Sequence, residues 1–330
     1  MSNLTSRREF FKEVSLLSFA PLLLSRNDFL TTRTIPHIGF LLGAGYPEMY
    51  AAFTDELHKL GFIDGQNIII EKRFSKPNSS EGTTMAAELA QMDLSLIVAA
   101  ALPFALEVRK NNPKMPMVIA TCPGMVSNGF AESLEHPGGI YTGMDELPTG
   151  VTSRRLQLLK DVAPSATRIA LLSTTPGTGG HEIQLSEAEK MAAILGIEVK
   201  PYRAGSLQQL EKALKDLIND GMNGILSFQG GLALANRELI VNYAAQNKIP
   251  GIYNATLYAE AGGLMSWAPD ILLQFREAAH YVSKILKGTS PGELPVKHPE
   301  KYYLTLNARA AKKIGLTFPA HILAQSTRVL

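Results

Sequence analysis

The sequence has few of the residues that build covalent or metal-bound sites. Cys122 is the single cysteine in 330 residues, so an internal disulfide is excluded. The seven histidines do not show the paired spacing, with an acid nearby, that is typical of a zinc site. The sequence therefore predicts a protein that needs neither a metal ion nor a cofactor.

A large excess of one charge is also missing. The chain has 32 Lys and Arg against 30 Asp and Glu, and no basic cluster lies on a candidate groove face, which argues against a nucleic-acid partner. Apolar residues make up 45% of the chain and charged residues 19%, as in folded rather than disordered proteins. With 330 residues, the chain is long enough for two domains with separate cores.

The N-terminus combines two adjacent arginines with a short apolar segment. Arg7 and Arg8 come just before a Phe-Phe pair, and an apolar stretch from 14 to 24 follows. This stretch is short for a membrane-spanning helix and typical of a twin-arginine export leader; the alternative is an ordinary basic amphipathic start. We interpret residues 1–34 as a leader and linker and expect a periplasmic protein. Pro21 follows the small residues at the cleavage position, so the leader is either removed or kept as an anchor.

From residue 35 onward, short apolar runs alternate with helical patterns, which predicts parallel sheets with helices on both faces. The first set of strands is predicted at 38–42, 68–71, 96–100, 117–121 and 140–142, with a weaker helix at 128–134. The pattern restarts with strands at 168–173, 198–202, 224–228, 249–253, 263–267 and 302–306. We therefore predict an α/β fold with two doubly wound parallel-sheet lobes joined by a hinge.

The lobe boundaries follow from this repeat. Lobe 1 is predicted to comprise 35–147 plus about 268–295, and lobe 2 to comprise 148–267 plus about 296–330. Two such lobes form a cleft between the carboxyl ends of their sheets, where open α/β sheets bind ligands. Closure of the lobes around a ligand is the expected motion.

Five segments, in order along the chain, resemble one known family. They are FTDELHKLGFIDGQNI at 53–68, SLEHPGGIYTG at 133–143, MSWAPD at 265–270 with the helix at 278–288, LPV at 294–296, and the closing residues Asn307, Ala311, Gly315 and Leu316. They are similar to segments of the solute-binding proteins of bacterial ABC transporters, in the family related to tryptophan-binding components. The resemblance implies the periplasmic binding protein-like type I fold.

The resemblance also implies a function. The expected protein is a monomer that captures a small organic solute, such as an amino acid or aromatic compound, and delivers it to ABC permease subunits in the membrane. It would not be an enzyme: the G-x-S-x-G match at 288–292 follows a helix, whereas a nucleophile of that type follows a strand. The alternatives left open are a ligand sensor for a receptor and an exported α/β enzyme.

Candidate ligand-binding residues lie where predicted strands end. Aromatic side chains can stack on a solute, and hydroxyl and amide groups can orient it. Gly124 stands where relatives carry an acid, so a small, neutral base of the cleft is expected. For each candidate the alternative is a packing, capping or surface role. The predicted set is Tyr46, Phe104, Gly124, Thr175, Gln229, Asn254 and Trp267.

Overall fold

The computed structural model describes residues 35–75 and 80–330, and the leader predicted for 1–34 lies outside the described residues. Within that part of the chain, lobe 1 contains a parallel five-stranded sheet in the order β2-β1-β3-β4-β5. Its strands are β1 (His37–Gly43), β2 (Ile69–Ser75), β3 (Leu96–Ala99), β4 (Met117–Cys122) and β5 (Tyr141–Asp145). Its helices are α1 (Pro47–Lys59), α2 (Glu81–Ala90), α3 (Leu102–Asn111) and α10 (Ile271–Leu286).

The core of lobe 1 lies on both faces of its sheet. Strand β1 is buried along its interior, as expected of a strand covered by helices on both sides. Phe40 and Leu41 point into different apolar clusters because successive side chains of a strand alternate between faces. The ring of Phe40 lies 4.8 Å from that of Phe53 in α1 and 6.3 Å from that of Phe275 in α10, so the late helix α10 belongs to this core.

Among the described residues, seven strands form the sheet of lobe 2, in the order β12-β11-β10-β9-β8-β6-β7. They are β6 (Arg168–Ser173), β7 (Glu198–Arg203), β8 (Gly224–Ser227), β9 (Gly251–Tyr253), β10 (Met265–Pro269), β11 (Tyr302–Leu306) and β12 (Arg328–Val329). The neighbours β10 and β11 run antiparallel, and the other pairs are parallel. The sheet is therefore mixed at one place, although parallel pairing dominates.

The helices of lobe 2 cover both faces of its sheet and form two further apolar clusters. The long helix α10 begins after Asp270, whose carboxylate caps the helix by accepting a hydrogen bond from the N–H of Leu272 at 2.9 Å. The helices are α4 (Val151–Val162), α5 (Gly179–Leu195), α6 (Leu207–Asn219), α7 (Gly231–Ala235), α8 (Arg237–Gln246), α9 (Thr256–Glu260), α11 (Ala308–Lys313) and α12 (Ala320–Gln325), with a 3₁₀ turn at Pro291–Glu293.

These observations confirm the predicted fold class. The helix predicted at 128–134, however, is wrong, because this segment consists of turns and bends. The Asn128 side chain donates to the carbonyls of Pro123 and Gly124, at 2.8 and 2.7 Å. Arg109 donates to the carbonyls of Asn128 and Gly129, both at 2.9 Å. Side chains thus bind the carbonyl groups that a helix would use, and a compact loop forms instead.

The short helix α7 ends at Ala235, and α8 begins at Arg237. Asn236 leaves helical geometry, with φ −107° and ψ 25°, and its side chain donates to the carbonyl of Leu232 at 2.8 Å. The short elements α9, α12 and β12 had no counterpart in the sequence prediction, because two to six residues carry too little periodicity. The lobe boundaries given above stay a prediction.

Candidate functional site

The carboxyl ends of the two sheets face each other at the hinge. In each sheet the strand order reverses direction, at β2-β1-β3 in lobe 1 and at β7-β6-β8 in lobe 2. Ligands of open α/β sheets bind outside such switch points. The chain passes between the lobes three times, after β5, after β10 and before β11, so the residues at these crossings lie beside the strand ends.

The lobes contact each other directly beside the hinge. Asn128 of lobe 1 accepts a hydrogen bond from the N–H of Gly179, the first residue of α5, at 3.0 Å. A Cβ atom added to Gly179 would lie 2.4 Å from the carbonyl oxygen of Ser127, and one added to Gly180 would lie 2.1 Å from that of Pro123. These glycines therefore allow the backbones of the two lobes to touch.

Asp145, the last residue of β5, organises the loop that makes this contact. Its buried carboxylate accepts backbone hydrogen bonds from Gly124 at 3.0 Å, Met125 at 2.8 Å and Leu147 at 2.9 Å. The expectation of a neutral region at Gly124 is therefore wrong. The acid that is missing from the loop is supplied by the neighbouring strand.

Glu146 follows directly and is buried at the hinge between the lobes. Its carboxylate accepts a hydrogen bond from Gln274 of α10 at 3.2 Å. Its backbone carbonyl accepts hydrogen bonds from the Tyr302 hydroxyl at 3.0 Å and from the Gln229 amide at 3.4 Å. Groups from both lobes thus converge on one residue.

Arg155 of α4 completes the polar cluster and is 0% exposed. Its Nε donates to the carbonyl of Trp267 at 3.0 Å, and its Nη1 donates to the side-chain oxygen of Gln229 at 3.4 Å. Its Nη2 has no hydrogen-bond partner. Burial lowers the pKa of Arg155 to about 10, so the guanidinium remains charged at neutral pH. We call Glu146, Arg155, Gln229 and Gln274 the hinge cluster.

The hinge cluster makes folding stability depend on pH. Burial raises the pKa of Glu146 from 4.5 to about 7, opposed by the Gln274 hydrogen bond and by the charge of Arg155. Because the folded pKa is the higher one, this stabilising contribution is complete below about pH 4.5, the ordinary glutamate pKa, and is lost as the pH rises through 7.

We expect Glu146→Gln to remove this dependence. Relative to the variant, the wild type should lose at most about 3 kcal/mol of unfolding free energy between pH 5 and pH 8, since one pKa unit corresponds to about 1.4 kcal/mol. Urea unfolding at several pH values measures this difference. As a control, the surface variant Glu293→Gln should show the same pH dependence of the unfolding free energy as the wild type. If the pH dependence of Glu146→Gln were also the same as that of the wild type, Glu146 would not titrate in this range.

The three residues predicted in lobe 1 have different surroundings. Tyr46 is buried where the lobes meet, and the guanidinium carbon of Arg237 from lobe 2 lies 6.0 Å from its ring centre. Gly124 lies in the Asp145-bound loop beside the hinge. Phe104 packs against the apolar core of lobe 1, with its ring against Gly82 of α2.

Three of the four residues predicted in lobe 2 are connected through hydrogen bonds. The Thr175 hydroxyl donates to the backbone carbonyl of Gln229 at 3.3 Å, and the Gln229 side chain is joined through Arg155 to the carbonyl of Trp267. The Trp267 ring stacks on Tyr302 with 4.6 Å between the ring centres. Asn254 is half-buried, and its side-chain oxygen has no hydrogen-bond partner. Contact of these residues with a ligand stays a prediction.

Three members of the hinge cluster were missed from the sequence: Glu146, Arg155 and Gln274. Glu146 lies four residues after the predicted strand at 140–142 and next to the predicted lobe boundary at 147/148, which is a signal that could have identified it. Arg155 and Gln274 lie inside helical patterns, where charged and amide residues usually face solvent. Their burial was therefore not recognisable from local sequence.

Other surfaces give weaker candidates. A depression of about 610 Å³ lies between β7 and α6 of lobe 2, away from the hinge. Its charged groups pair with one another, as in Lys200–Asp220 and Lys212–Asp216, so we regard it as an ordinary surface groove.

In residues 35–75 and 80–330, no cluster of His, Cys, Asp and Glu is suited to hold a metal ion. None of the helices described there has the length and apolar character needed to cross a membrane.

Comparisons with known proteins agree with this fold. A tyrosine-binding protein from Clostridioides difficile (strain R20291) is 22% identical over 264 residues, covering 80% of this chain and 75% of that protein. A conserved domain protein from Vibrio cholerae superposes with a TM-score of 0.81 at 22% identity, over 90% of this chain and 100% of that chain.

An ABC domain from Streptococcus pneumoniae, solved in complex with L-Trp, also superposes with a TM-score of 0.81, at 20% identity, over 90% of this chain and 100% of that chain. The model of a family described as ABC transporter substrate binding protein matches residues 38–330. Because this match spans nearly the whole described chain, the protein belongs to the family of ABC transporter substrate-binding proteins.

Proposed function

We propose that this protein captures a small organic solute between its two lobes, outside the cytoplasm, and presents it to an ABC permease for import. The observation that carries the proposal is the hinge cluster. Buried polar groups of both lobes, including Arg155, Gln229 and Gln274, converge where the carboxyl ends of the sheets meet. Buried polar groups in such a cleft are the usual means of orienting a small ligand.

Capture would proceed by closure of the lobes. The contacts between Asn128 and Gly179 and between Tyr46 and Arg237 join surfaces of different lobes, and we interpret them as contacts of a closed arrangement. Opening would need only the separation of such local contacts, while each lobe keeps its own core. A permease would then distinguish the closed from the open form.

Amino acids with aromatic side chains are the first candidates for the solute. The C. difficile relative is named for tyrosine binding, and the S. pneumoniae structure holds L-Trp. Tyr46 and the hinge cluster would supply aromatic and polar surfaces for such a molecule.

We further propose that the protein acts as a monomer and performs no covalent chemistry. It would reach the periplasm through a twin-arginine leader at 1–34, and its partners would be the membrane permease subunits.

A thermal-shift screen tests the proposal. We expect at least one solute from a panel of the common amino acids and aromatic carboxylates to raise the melting temperature and change Trp267 fluorescence. Binding at a hundredfold excess over the Kd stabilises the folded protein by about 2.7 kcal/mol. Trp267 is the single tryptophan, so its fluorescence reports on the hinge without interference from other tryptophans.

One result would contradict the proposal, and another would contradict only the predicted role of Trp267. A panel without any stabilising solute would argue against capture of these classes. If Trp267→Phe bound the same solute with unchanged affinity, the predicted ligand contact of the Trp267 ring would be wrong, although the hinge cluster would remain a candidate site.

A further inference from the structure

Arg155 has more hydrogen-bonding capacity than the protein uses. The guanidinium offers five N–H donors, of which Nε makes one good hydrogen bond and Nη1 a long one at 3.4 Å. Nη2 has no partner although the side chain is fully buried. Both of its acceptors, the Trp267 carbonyl and the Gln229 amide, are neutral.

The guanidinium lies at the edge of the sheet that borders the cleft. Gln229 lies two residues after the end of β8, and Trp267, the middle residue of β10, lies one position beyond the last residue of β10 that pairs with β9. Both groups that hold Arg155 therefore lie at the carboxyl edge of the central parallel strands. The same Gln229 side chain bridges to the carbonyl of Glu146 at the crossing between lobes. Arg155 is thus placed where lobe 2 meets the hinge.

The charge of Arg155 is poorly compensated by the protein itself. The acidic groups that influence it are the Tyr302 phenol and the carboxylates of Glu146 and Glu187, yet neither carboxylate forms an ion pair with it within the described residues. Glu146 is held by Gln274, and the Glu187 carboxylate accepts the N–H of Thr152. A buried charge without a close counter-ion is strongly unfavourable, and an anion at Nη2 would remove this cost.

We propose that Arg155 is the anchor for a carboxylate of the solute, so that the protein selects carboxylate-bearing ligands. The planar guanidinium matches a carboxylate through two parallel N–H···O bonds, and Nη2 together with the weakly held Nη1 can form such a pair. This inference rests on the proposed function and adds the chemical class of the solute. Amino acids and simple organic acids share this group.

The first test uses acetate as a minimal carboxylate probe. We expect acetate to raise the melting temperature of the wild type in a saturable manner, by about 2 °C or more beyond chloride at equal ionic strength. Arg155→Met should abolish this difference. Arg154→Met, a neighbouring change on the same helix with a surface side chain, should preserve it. Equal acetate effects in the wild type and Arg155→Met would overturn the proposal.

The second test compares L-tyrosine, tyramine and 3-(4-hydroxyphenyl)propionate. We expect tyramine, which lacks the carboxylate, to bind at least about 100-fold more weakly than the better of the two acids, since a lost charge-assisted pair is worth about 3 kcal/mol. Comparing tyrosine with the propionate shows whether an amino acid or a simple acid is preferred. Tyramine binding as tightly as the acids would overturn the proposal.

The outcomes separate this inference from the proposed function. Solute binding that is insensitive to the carboxylate would leave capture intact and reject the role of Arg155. An acetate effect that depends on Arg155, without binding of the tyrosine series, would support the anchor and reject aromatic amino acids as cargo. Should Arg155→Met fail to fold, Arg155→Lys keeps the charge but loses the planar pair, and it should weaken the acetate effect.

Discussion

Replacing Gly180 with alanine is expected to weaken solute binding by at least about 100-fold, equivalent to about 3 kcal/mol, without lowering the stability of the fold. A Cβ at this position would lie 2.1 Å from the carbonyl oxygen of Pro123 in the other lobe. The clash is with backbone, which cannot rotate away as a flexible side chain would. The lobes would have to move apart to relieve it.

The same substitution should be harmless within lobe 2. Gly180 is the second residue of α5 and has no positive φ, so alanine fits the local backbone. Alanine is favoured over glycine in helices by up to about 1 kcal/mol. The expected signature is therefore an unchanged or higher melting temperature with a larger radius of gyration in small-angle scattering.

Gly231→Ala is a matched control for this prediction. Gly231 begins the helix α7, and a Cβ added there meets nothing within 4 Å. This variant should keep the binding affinity and dimensions of the wild type. If Gly180→Ala also bound solute normally and remained as compact as the wild type, the Gly180 contact would not belong to the binding-competent form, and the proposed closure would need another geometry.

Asp145→Ala is expected to lower the free energy of unfolding by about 3 to 5 kcal/mol, because each buried N–H left without an acceptor costs about 1–3 kcal/mol. The carboxylate accepts hydrogen bonds from Gly124, Met125 and Leu147 at 2.8–3.0 Å. Its loss also frees the loop that carries Asn128. We therefore expect weaker solute binding in addition to the lower stability measured by urea unfolding.

Asp64→Ala provides the comparison for Asp145. Asp64 also accepts a backbone hydrogen bond, from Ile70 at 2.9 Å, but it lies at an exposed turn. Water can replace this single acceptor, so the loss should be at most about 1 kcal/mol. If Asp145→Ala were no more destabilising than Asp64→Ala, the three hydrogen bonds at the hinge would not anchor the loop as described.

The general architecture could be predicted from local patterns. The apolar run of β1 is buried on both faces, and the apolar positions of α1, such as Phe53 and Leu57, face the core as their spacing requires. Gln229 was recognised for the same reason as a residue that follows a strand near the hinge, whereas Trp267 was predicted to end its strand and lies in the middle of β10. Periodicity reports which side of an element is buried, and strand ends mark the binding edge of a parallel sheet.

The loop at 123–130 shows where local patterns fail. A helix was predicted from 128 to 134, yet Arg109 and the Asn128 side chain bind carbonyls of this loop, and Asp145 binds two of its N–H groups. Arg109 and Asp145 are 15 or more residues from their partners along the chain. Such bonds outweigh helix propensity, which is a weak preference of less than about 1 kcal/mol per residue.

Local patterns along the chain were sufficient to predict two α/β lobes with a cleft between their strand ends, because hydrophobic burial follows the period of each helix and strand. The chemistry inside that cleft was decided by the tertiary structure. Arg155 reaches the carbonyl of Trp267 across 112 residues and the Gln229 side chain across 74 residues. Hydrogen bonds and buried charges depend on distances between groups far apart in the chain, and only folding brings those groups together.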